Sequence, residues 1–309
     1  MSDVLLEKKK QKPTYVDVLS KRALEYVQKQ LHDKEYYDAY SMICTFVHRC
    51  IHKSQYIQAL DLCHDFGLEF INHQRFDLAC ELGDLIITML MEASLSVTQQ
   101  RIQYILDIFE PFPDHCEISR HRFIEHALKW AIQNAGSDSP FVTQLHYAAG
   151  ISYLKEKNFA LAQGHLIFCG DGELLGTVVA QWLKEGYYSE RPLFVLRLIL
   201  LLLAKGDIKT AEETFYSKAL KLDLEQPDIP PAIQFAYLLL EACKEKNSQL
   251  FDVLTSKYSL VIRRDKLFED LIIIINKNVM DREPLKKNNN FLNLFSSLFG
   301  NMNPTLQTS

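Results

Sequence analysis

The chain has 309 residues and a formal net charge of −5, with 48% apolar and 24% charged residues. This balance is ordinary for a globular protein and lacks the concentrated positive field that a nucleic-acid-binding surface needs. The sequence contains 11 glycines and 10 prolines, too few for the many tight turns of a sandwich or barrel, so we expect long helices.

The cysteines and apolar runs indicate the cellular compartment of the protein. Seven cysteines show no Cys-x-x-Cys spacing, and most have apolar neighbours, so we expect reduced core residues. The start MSDVLLEKKK lacks the apolar core of a signal peptide. The most apolar run, LFVLRLILLLLA (193–204), is too short to span a bilayer and contains Arg197. We therefore expect a cytosolic protein in which residues 193–204 form a buried helix.

In chain order, the first recurring feature is an aromatic residue followed three positions later by an alanine. The phrase restarts every twenty residues, in EYYDAY (35–40), QYIQAL (55–60) and RFDLAC (75–80). Apolar residues follow each alanine in steps of three and four, which is typical of one helix face. Each unit is therefore predicted to be one helix and a polar turn, with the alanine allowing close approach of a neighbouring helix.

Two such units make a hairpin, and stacked hairpins make a solenoid. Looser versions of the phrase return at 155–166 and 204–215. We predict an all-α, tetratricopeptide-like, right-handed solenoid of antiparallel hairpins with about 13 to 16 helices.

No break along the chain is long enough for a flexible domain linker, so residues 1–309 are predicted to form a single solenoid. Its N-terminal half is 1–150 and its C-terminal half is 151–285. Residues 286–309 are predicted to form a short final helix with an apolar stripe at 291–299, followed by a flexible tail.

The strongest candidate for chemistry is DHCEISRHRFIEH (114–126), with His115, Cys116, His121, Glu125 and His126. His121 and His126 are five residues apart, so they do not share a helix face as metal ligands must. GDGELLG (170–176) lacks the Gly-Lys-Ser/Thr ending of a phosphate loop and is interpreted as a turn whose Asp171 caps the next helix. We predict no catalytic residues, no metal and no cofactor, and keep a metal-dependent enzyme as an alternative.

Two charged segments could bind a partner. Positive residues lie near the first predicted turns: His48, Arg49, His52, Lys53 and Arg75. They form either a mixed solvated face or a docking patch. Near the C-terminus, YSLVIRRDKLFEDLIIII (258–275) places Asp265 as a helix cap behind two arginines, and its isoleucine run could be the floor of a helix-binding groove.

The order of these motifs resembles the Golgi-to-ER traffic protein 4 family, and animal members in particular. The resemblance begins with EYYDAYSMICTFVHRCIHKSQYIQALDL. It continues through RFDLACELGDLI, GDGE, LTSKYSLVIRRDKLF and FLNLFSSLFGN. It implies a cytosolic α-solenoid without catalysis that acts as an adaptor in post-translational targeting of tail-anchored membrane proteins to the ER.

The resemblance also implies partners. The N-terminal half would bind the targeting ATPase of the GET pathway, and the C-terminal half a ubiquitin-like-domain protein. A BAG-family ubiquitin-like scaffold is a further partner in animal members. No nucleic acid is expected, and no direct membrane insertion. An alternative function is a helical-repeat scaffold of a vesicle-fusion or other multiprotein complex.

Site residues follow from the resemblance position by position. The residues implied to face the ATPase are Tyr37, Arg49, Lys53 and Asp77. The residues implied to bind the ubiquitin-like partner are Phe215, Leu222, Phe235, Leu239, Arg263, Arg264 and Ile273. Fungal members are expected to insert a β-hairpin near KLDLEQPDIPPAI (221–233), but this stretch is short and has three prolines.

Overall fold

A computed structural model of the chain describes residues 21–113, 117–222 and 228–281, together with residues 291 and 294. Within these residues the regular elements are all helices, with no strand, and fifteen of them have defined bounds. The predicted all-α fold is therefore confirmed, and the number of helices in the described residues falls in the predicted range.

The helices fall into two compact units, residues 1–141 and residues 142–309. The described helices of unit 1 are α1 (Lys21–His32), α2 (Tyr36–His52), α3 (Tyr56–Asn72), α4 (Phe76–Glu92), α5 (Gln99–Phe109) and α6 (Glu117–Ala135). Consecutive helices from α1 to α6 pack against each other within this unit.

Unit 2 begins within α7 (Pro140–Lys155), the helix that also contains the predicted boundary at residue 150. Its other described helices are α8 (Phe159–Leu166), α9 (Gly172–Glu185), α10 (Arg191–Lys205), α11 (Ile208–Phe215), α12 (Pro231–Lys244), α13 (Ser248–Lys257), α14 (Ser259–Ile262) and α15 (Lys266–Asn278). α10 lies centrally and contacts α9, α11, α12 and α15.

The twenty-residue period appears in both the helices and the turns of unit 1. Helices α2, α3 and α4 each have 17 residues. Positive φ angles of 48° to 64° recur in the turns, at Lys34, Ser54, Gln74 and Ser94. After each of these residues the next backbone N–H donates to a carbonyl five residues earlier, at 2.8 to 3.0 Å, which is the longer bond of a Schellman motif. The same turn is therefore used four times to reverse the chain.

The alanines of the recurring phrase are fully buried, which agrees with the predicted close approach of a neighbouring helix. They are Ala39, Ala59 and Ala79. Gly83 marks another close approach, because a β-carbon there would lie 2.7 Å from Cε2 of Phe123 in α6. Small residues thus allow the helices of unit 1 to pack closely.

Side-chain caps begin several helices of unit 2. Asn158, Asp207 and Asn247 each follow a turn residue with positive φ and accept a hydrogen bond from a first-turn amide. Two further caps were predicted from the sequence and are confirmed. Asp171 accepts from the Leu174 N–H at 2.9 Å, and Asp265 accepts from the Leu267 N–H at 2.9 Å.

The apolar run 193–204 forms most of α10, and the residues 198–204 are all buried, which confirms the predicted buried helix. Burial lowers the pKa of the Arg197 guanidinium, against a weaker opposing effect of the Asp265 carboxylate. Among the described helices, none combines the length and hydrophobicity that crossing a bilayer requires.

The six described cysteines are free thiols. Four of them are buried, and burial raises the pKa of each: Cys50, Cys63, Cys80 and Cys243. Such thiols are chemically unreactive core residues. Cys116 lies outside the described residues.

The predicted final helix and tail, residues 286–309, lie outside the described residues except at two positions. Phe291 is helical and buried, and Leu294 is helical and half-buried.

Candidate protein-interaction surfaces

The structure brings together two of the four residues implied to face the ATPase. Tyr37 lies in the first turn of α2 and Asp77 in the first turn of α4, and the Tyr37 hydroxyl donates to Asp77 Oδ2 at 3.3 Å. Tyr37 is 64% exposed. The two residues occupy the same position in repeats that are 40 residues apart, so their helices begin at the same end of the unit.

Arg75, at the N-cap of α4, connects these two side chains. Its Nε and Nη2 atoms donate to the two carboxylate oxygens of Asp77 at 3.1 and 2.7 Å. Its guanidinium carbon lies 4.7 Å from the ring centre of Tyr37 and 5.2 Å from that of Tyr36. We call Tyr36, Tyr37, Arg75 and Asp77 the arginine–tyrosine patch.

Within the patch the charges of Arg75 and Asp77 compensate each other. The hydrogen bonds from Arg75 lower the pKa of the Asp77 carboxyl, although partial burial opposes them. The same hydrogen bonds raise the pKa of Arg75. Arg75 and Asp77 are therefore both ionised at neutral pH. The patch presents the Tyr37 ring beside an ion pair whose charges compensate each other.

The other two implied residues lie at the opposite end of α2. Arg49 is in its last turn and Lys53 is its C-cap. Twelve residues separate Tyr37 from Arg49, which corresponds to about 18 Å along a helix. Both cations are exposed, and the Arg49 guanidinium lies 5.3 Å from the ring centre of Phe46. The four residues thus form two clusters on unit 1.

A second polar network joins α3 to α5 and was not anticipated from the sequence. The His64 ring contacts Asp65 at 3.1 Å and Asp107 at 3.0 Å, and it stacks on Tyr104 at 4.1 Å. Tyr104 in turn donates to Asp61 at 2.6 Å. Burial lowers the pKa of His64, but the two carboxylates outweigh burial and raise it overall. The network is half-buried and serves helix packing.

In unit 2 the residues implied to bind the ubiquitin-like partner divide by burial. Phe215, Phe235 and Leu239 are buried in the core and do not form an exposed surface. They were expected on a surface because their apolar character was read as a binding feature, whereas helix packing accounts for it. Leu222 is half-buried, and Ile273 is 36% exposed.

The exposed part of the implied surface is cationic and apolar. Arg263 and Arg264 are exposed in the turn between α14 and α15. Leu260, three residues before them, is 81% exposed, more than Ile273. The exposure of the two arginines agrees with their interpretation as basic residues beside the Asp265 cap, whereas the exposure of Leu260 was not predicted.

A shallow pocket of about 220 Å³ lies at the end of α11 and brings two of the implied residues together. It is lined by Phe215, Tyr216, Ser217, Lys218, Lys221 and Leu222. One of these lining residues, Phe215, is a buried core residue, so the pocket lies next to the core of unit 2.

The histidine segment gathers no metal site in the residues that the structure describes. His115 and Cys116 lie outside them, while Glu125 and His126 are exposed on α6. No cluster of three or more metal-binding side chains occurs in the described parts of the chain.

Comparison with known proteins decides the family. The family model of Golgi to ER traffic protein 4 matches residues 53–299. The chain belongs to the Golgi to ER traffic protein 4 family. This membership connects the protein to Golgi-to-ER traffic, as the resemblance of the sequence had implied.

Several relatives match this family member over most of its length. Golgi to ER traffic protein 4 homolog B of Xenopus laevis is 24% identical over 279 residues, which cover 89% of this chain and 83% of the relative. The Homo sapiens homolog has the same identity and coverage. The Dictyostelium discoideum homolog is 22% identical over 280 residues, covering 91% of this chain and 89% of the relative.

A solved structure shares the fold. The crystal structure of C. therm. Get4 matches with a TM-score of 0.74 at 19% identity, covering 90% of this chain and 95% of the other. At this identity the likeness concerns the fold alone. It fits the predicted solenoid of helical hairpins.

Proposed function

We propose that this family member is a non-enzymatic cytosolic adaptor in the post-translational targeting of tail-anchored membrane proteins to the ER. It bridges the targeting ATPase of the GET pathway to a complex that holds a client-loaded co-chaperone and a ubiquitin-like-domain protein. Membership of the Golgi to ER traffic protein 4 family supports the pathway.

The observation that carries the proposal is the arginine–tyrosine patch of unit 1. Its residues Tyr37 and Asp77 are exposed, it is rich in the residue types that dominate interface energetics, and it lies where the family resemblance implies ATPase contact. An exposed tyrosine held beside an ion pair is a suitable anchor for another protein.

Arg49 and Lys53 give the same unit a second, cationic contact. Exposed charges at an interface rim speed up and orient the encounter more than they hold the complex together. Such contacts suit an adaptor that must release the ATPase once the client has been transferred.

Unit 2 would bind the ubiquitin-like protein through its exposed residues Arg263, Arg264 and Ile273, together with the pocket that includes Leu222. The buried residues Phe215, Phe235 and Leu239 would not contact the partner, and their packing would hold α11 and α12 in place beneath the binding surface. A BAG-family scaffold would use the same unit.

The test is the affinity of the purified chain for the ATPase in its nucleotide-loaded form. Asp77→Lys places a cation beside Arg75 and breaks the patch, while Arg49→Glu reverses the second contact. We expect each substitution to weaken binding about tenfold or more, with Arg49→Glu mainly slowing association, and surface plasmon resonance measures both the affinity and the association rate.

Asp138→Lys and Lys129→Glu are matched controls, because they make the same charge changes at exposed positions of unit 1 outside both clusters. We expect them to leave affinity unchanged. Unchanged binding in both Asp77→Lys and Arg49→Glu would refute the ATPase site, and association with vesicle-fusion factors instead would favour a scaffold in membrane fusion.

A further inference from the structure

The exposed ring of Tyr37 is held on one side by the chain itself. Arg75 places its guanidinium 4.7 Å from the ring centre, and Asp77 accepts the Tyr37 hydroxyl at 3.3 Å. A tyrosine with 64% of its surface exposed would otherwise sample several rotamers.

Arg75 is suited to this task by its geometry. Its two hydrogen bonds to Asp77, at 3.1 and 2.7 Å, fix the plane of the guanidinium. A planar, fixed guanidinium can lie against aromatic rings, which a lysine ammonium on a flexible stem does less well. The second ring, that of Tyr36 at 5.2 Å, packs against the same group and against His73 at 5.4 Å.

The ion pair also determines what the patch can offer a partner. Both oxygens of Asp77 already accept hydrogen bonds from Arg75, and one of them also accepts from Tyr37. The Asp77 charge is therefore compensated within the chain, and the exposed feature is the Tyr37 ring. A side chain that is ordered before binding loses less conformational entropy on association.

We infer that Arg75 is a positioning residue that holds Tyr37 in its binding orientation for the targeting ATPase. This inference rests on the proposed function and adds a residue to it. Arg75 acts through Tyr37 and Asp77 and does not itself contact the ATPase.

The first test needs no partner. Arg75→Met keeps an unbranched stem of similar length and removes the guanidinium. In the free, full-length protein we expect the NMR signals of the Tyr37 ring to shift and to report greater rotamer averaging. Arg122→Met is the matched control, because it removes another arginine–aspartate pair of 2.7 Å in unit 1, between Arg122 and Asp84. Arg122→Met should leave the Tyr37 signals unchanged. If Arg75→Met also leaves the Tyr37 signals unchanged, the inference is wrong.

The second test is a double-mutant cycle on ATPase affinity. Tyr37→Ala and Arg75→Met should each weaken binding about tenfold, and the double variant should be no weaker than Tyr37→Ala alone. Arg75→Lys should restore part of the affinity, because it can pair with Asp77 through one contact. Thermal unfolding of each variant shows whether a loss of binding reflects a loss of folding.

The outcomes separate the two proposals. If Tyr37→Ala weakens binding and Arg75→Met does not, Arg75 has no positioning role and the proposed function stands. If the two losses multiply in the double variant, Arg75 contacts the ATPase directly and the inference is wrong. If Arg75→Met moves the Tyr37 signals but neither variant changes ATPase affinity, the proposed ATPase site fails, and with it the role of Arg75 in binding.

Discussion

Among single residues, the buried histidine pair of unit 2 has the clearest consequence for stability. Nδ1 of His146 in α7 lies 3.0 Å from Nδ1 of His165 in α8, and both rings are buried. The two nitrogens can share one proton but cannot both carry one without repulsion. Burial, with a smaller effect of the Lys205 charge, lowers the pKa of His146 to about 3.

This shift predicts loss of stability on acidification. Because the folded pKa lies below the unfolded value of 6.5, the unfolded chain takes up the proton first. The contribution of His146 to the free energy of unfolding should therefore be complete above pH 6.5. Below pH 6.5 this contribution should decrease, by at most about 1.4 kcal/mol per pH unit. His146→Asn, which retains a hydrogen-bonding group but does not titrate, should flatten this slope in urea unfolding measured from pH 7 to pH 5.

His126→Asn provides the control, since His126 is exposed on α6. It should leave the pH dependence of unfolding as it is in the unchanged protein. A slope that is equally steep with and without His146 would contradict the assignment.

Residues also show how far the sequence could predict the site. The caps Asp171 and Asp265 were predictable because a cap depends on its own turn. The side chain of Arg75 was counted only as a positive charge, because its contact with the Tyr37 ring crosses between repeats. The twenty-residue period could have predicted the Tyr37–Asp77 contact, since both residues occupy one position of the repeat. Burial of Phe215, Phe235 and Leu239 required the tertiary structure.

At the scale of elements, helices α2 to α4 were predictable because one local pattern repeats with constant length. The turns between them carry strain that the sequence does not reveal. Ser54 and Gln74 have φ angles of 57° and 59°, a conformation that disfavours residues other than glycine and asparagine.

This strain predicts stabilising substitutions. Ser54→Gly and Gln74→Gly should each raise the free energy of unfolding by up to about 1 kcal/mol, because glycine adopts positive φ without a steric penalty. Urea denaturation at neutral pH measures the change. Ser41→Gly, at an exposed position within α2, should instead lower stability by about 0.5 kcal/mol. Equal destabilisation by Ser54→Gly and Ser41→Gly would show that the turn carries no such strain.

For the whole molecule, the division into two compact units separates the proposed ATPase site from the proposed site of the ubiquitin-like protein. The arginine–tyrosine patch belongs to unit 1, and Arg263 and Arg264 belong to unit 2. The amino-acid composition and the twenty-residue repeat were sufficient to predict the fold class, because each helix is determined by its own segment and by the helices next to it. Partner identity was not contained in those patterns and came from the family resemblance.

The most direct test of the adaptor is the mass of the complex formed when the chain, the targeting ATPase and the ubiquitin-like protein are mixed, measured by mass photometry. The adaptor account predicts one species that contains all three proteins. With Asp77→Lys, only the complex of this chain and the ubiquitin-like protein should form. With Arg263→Glu and Arg264→Glu combined, only the complex of this chain and the ATPase should form. Two binary complexes that exclude each other, with no species of the summed mass, would contradict the account.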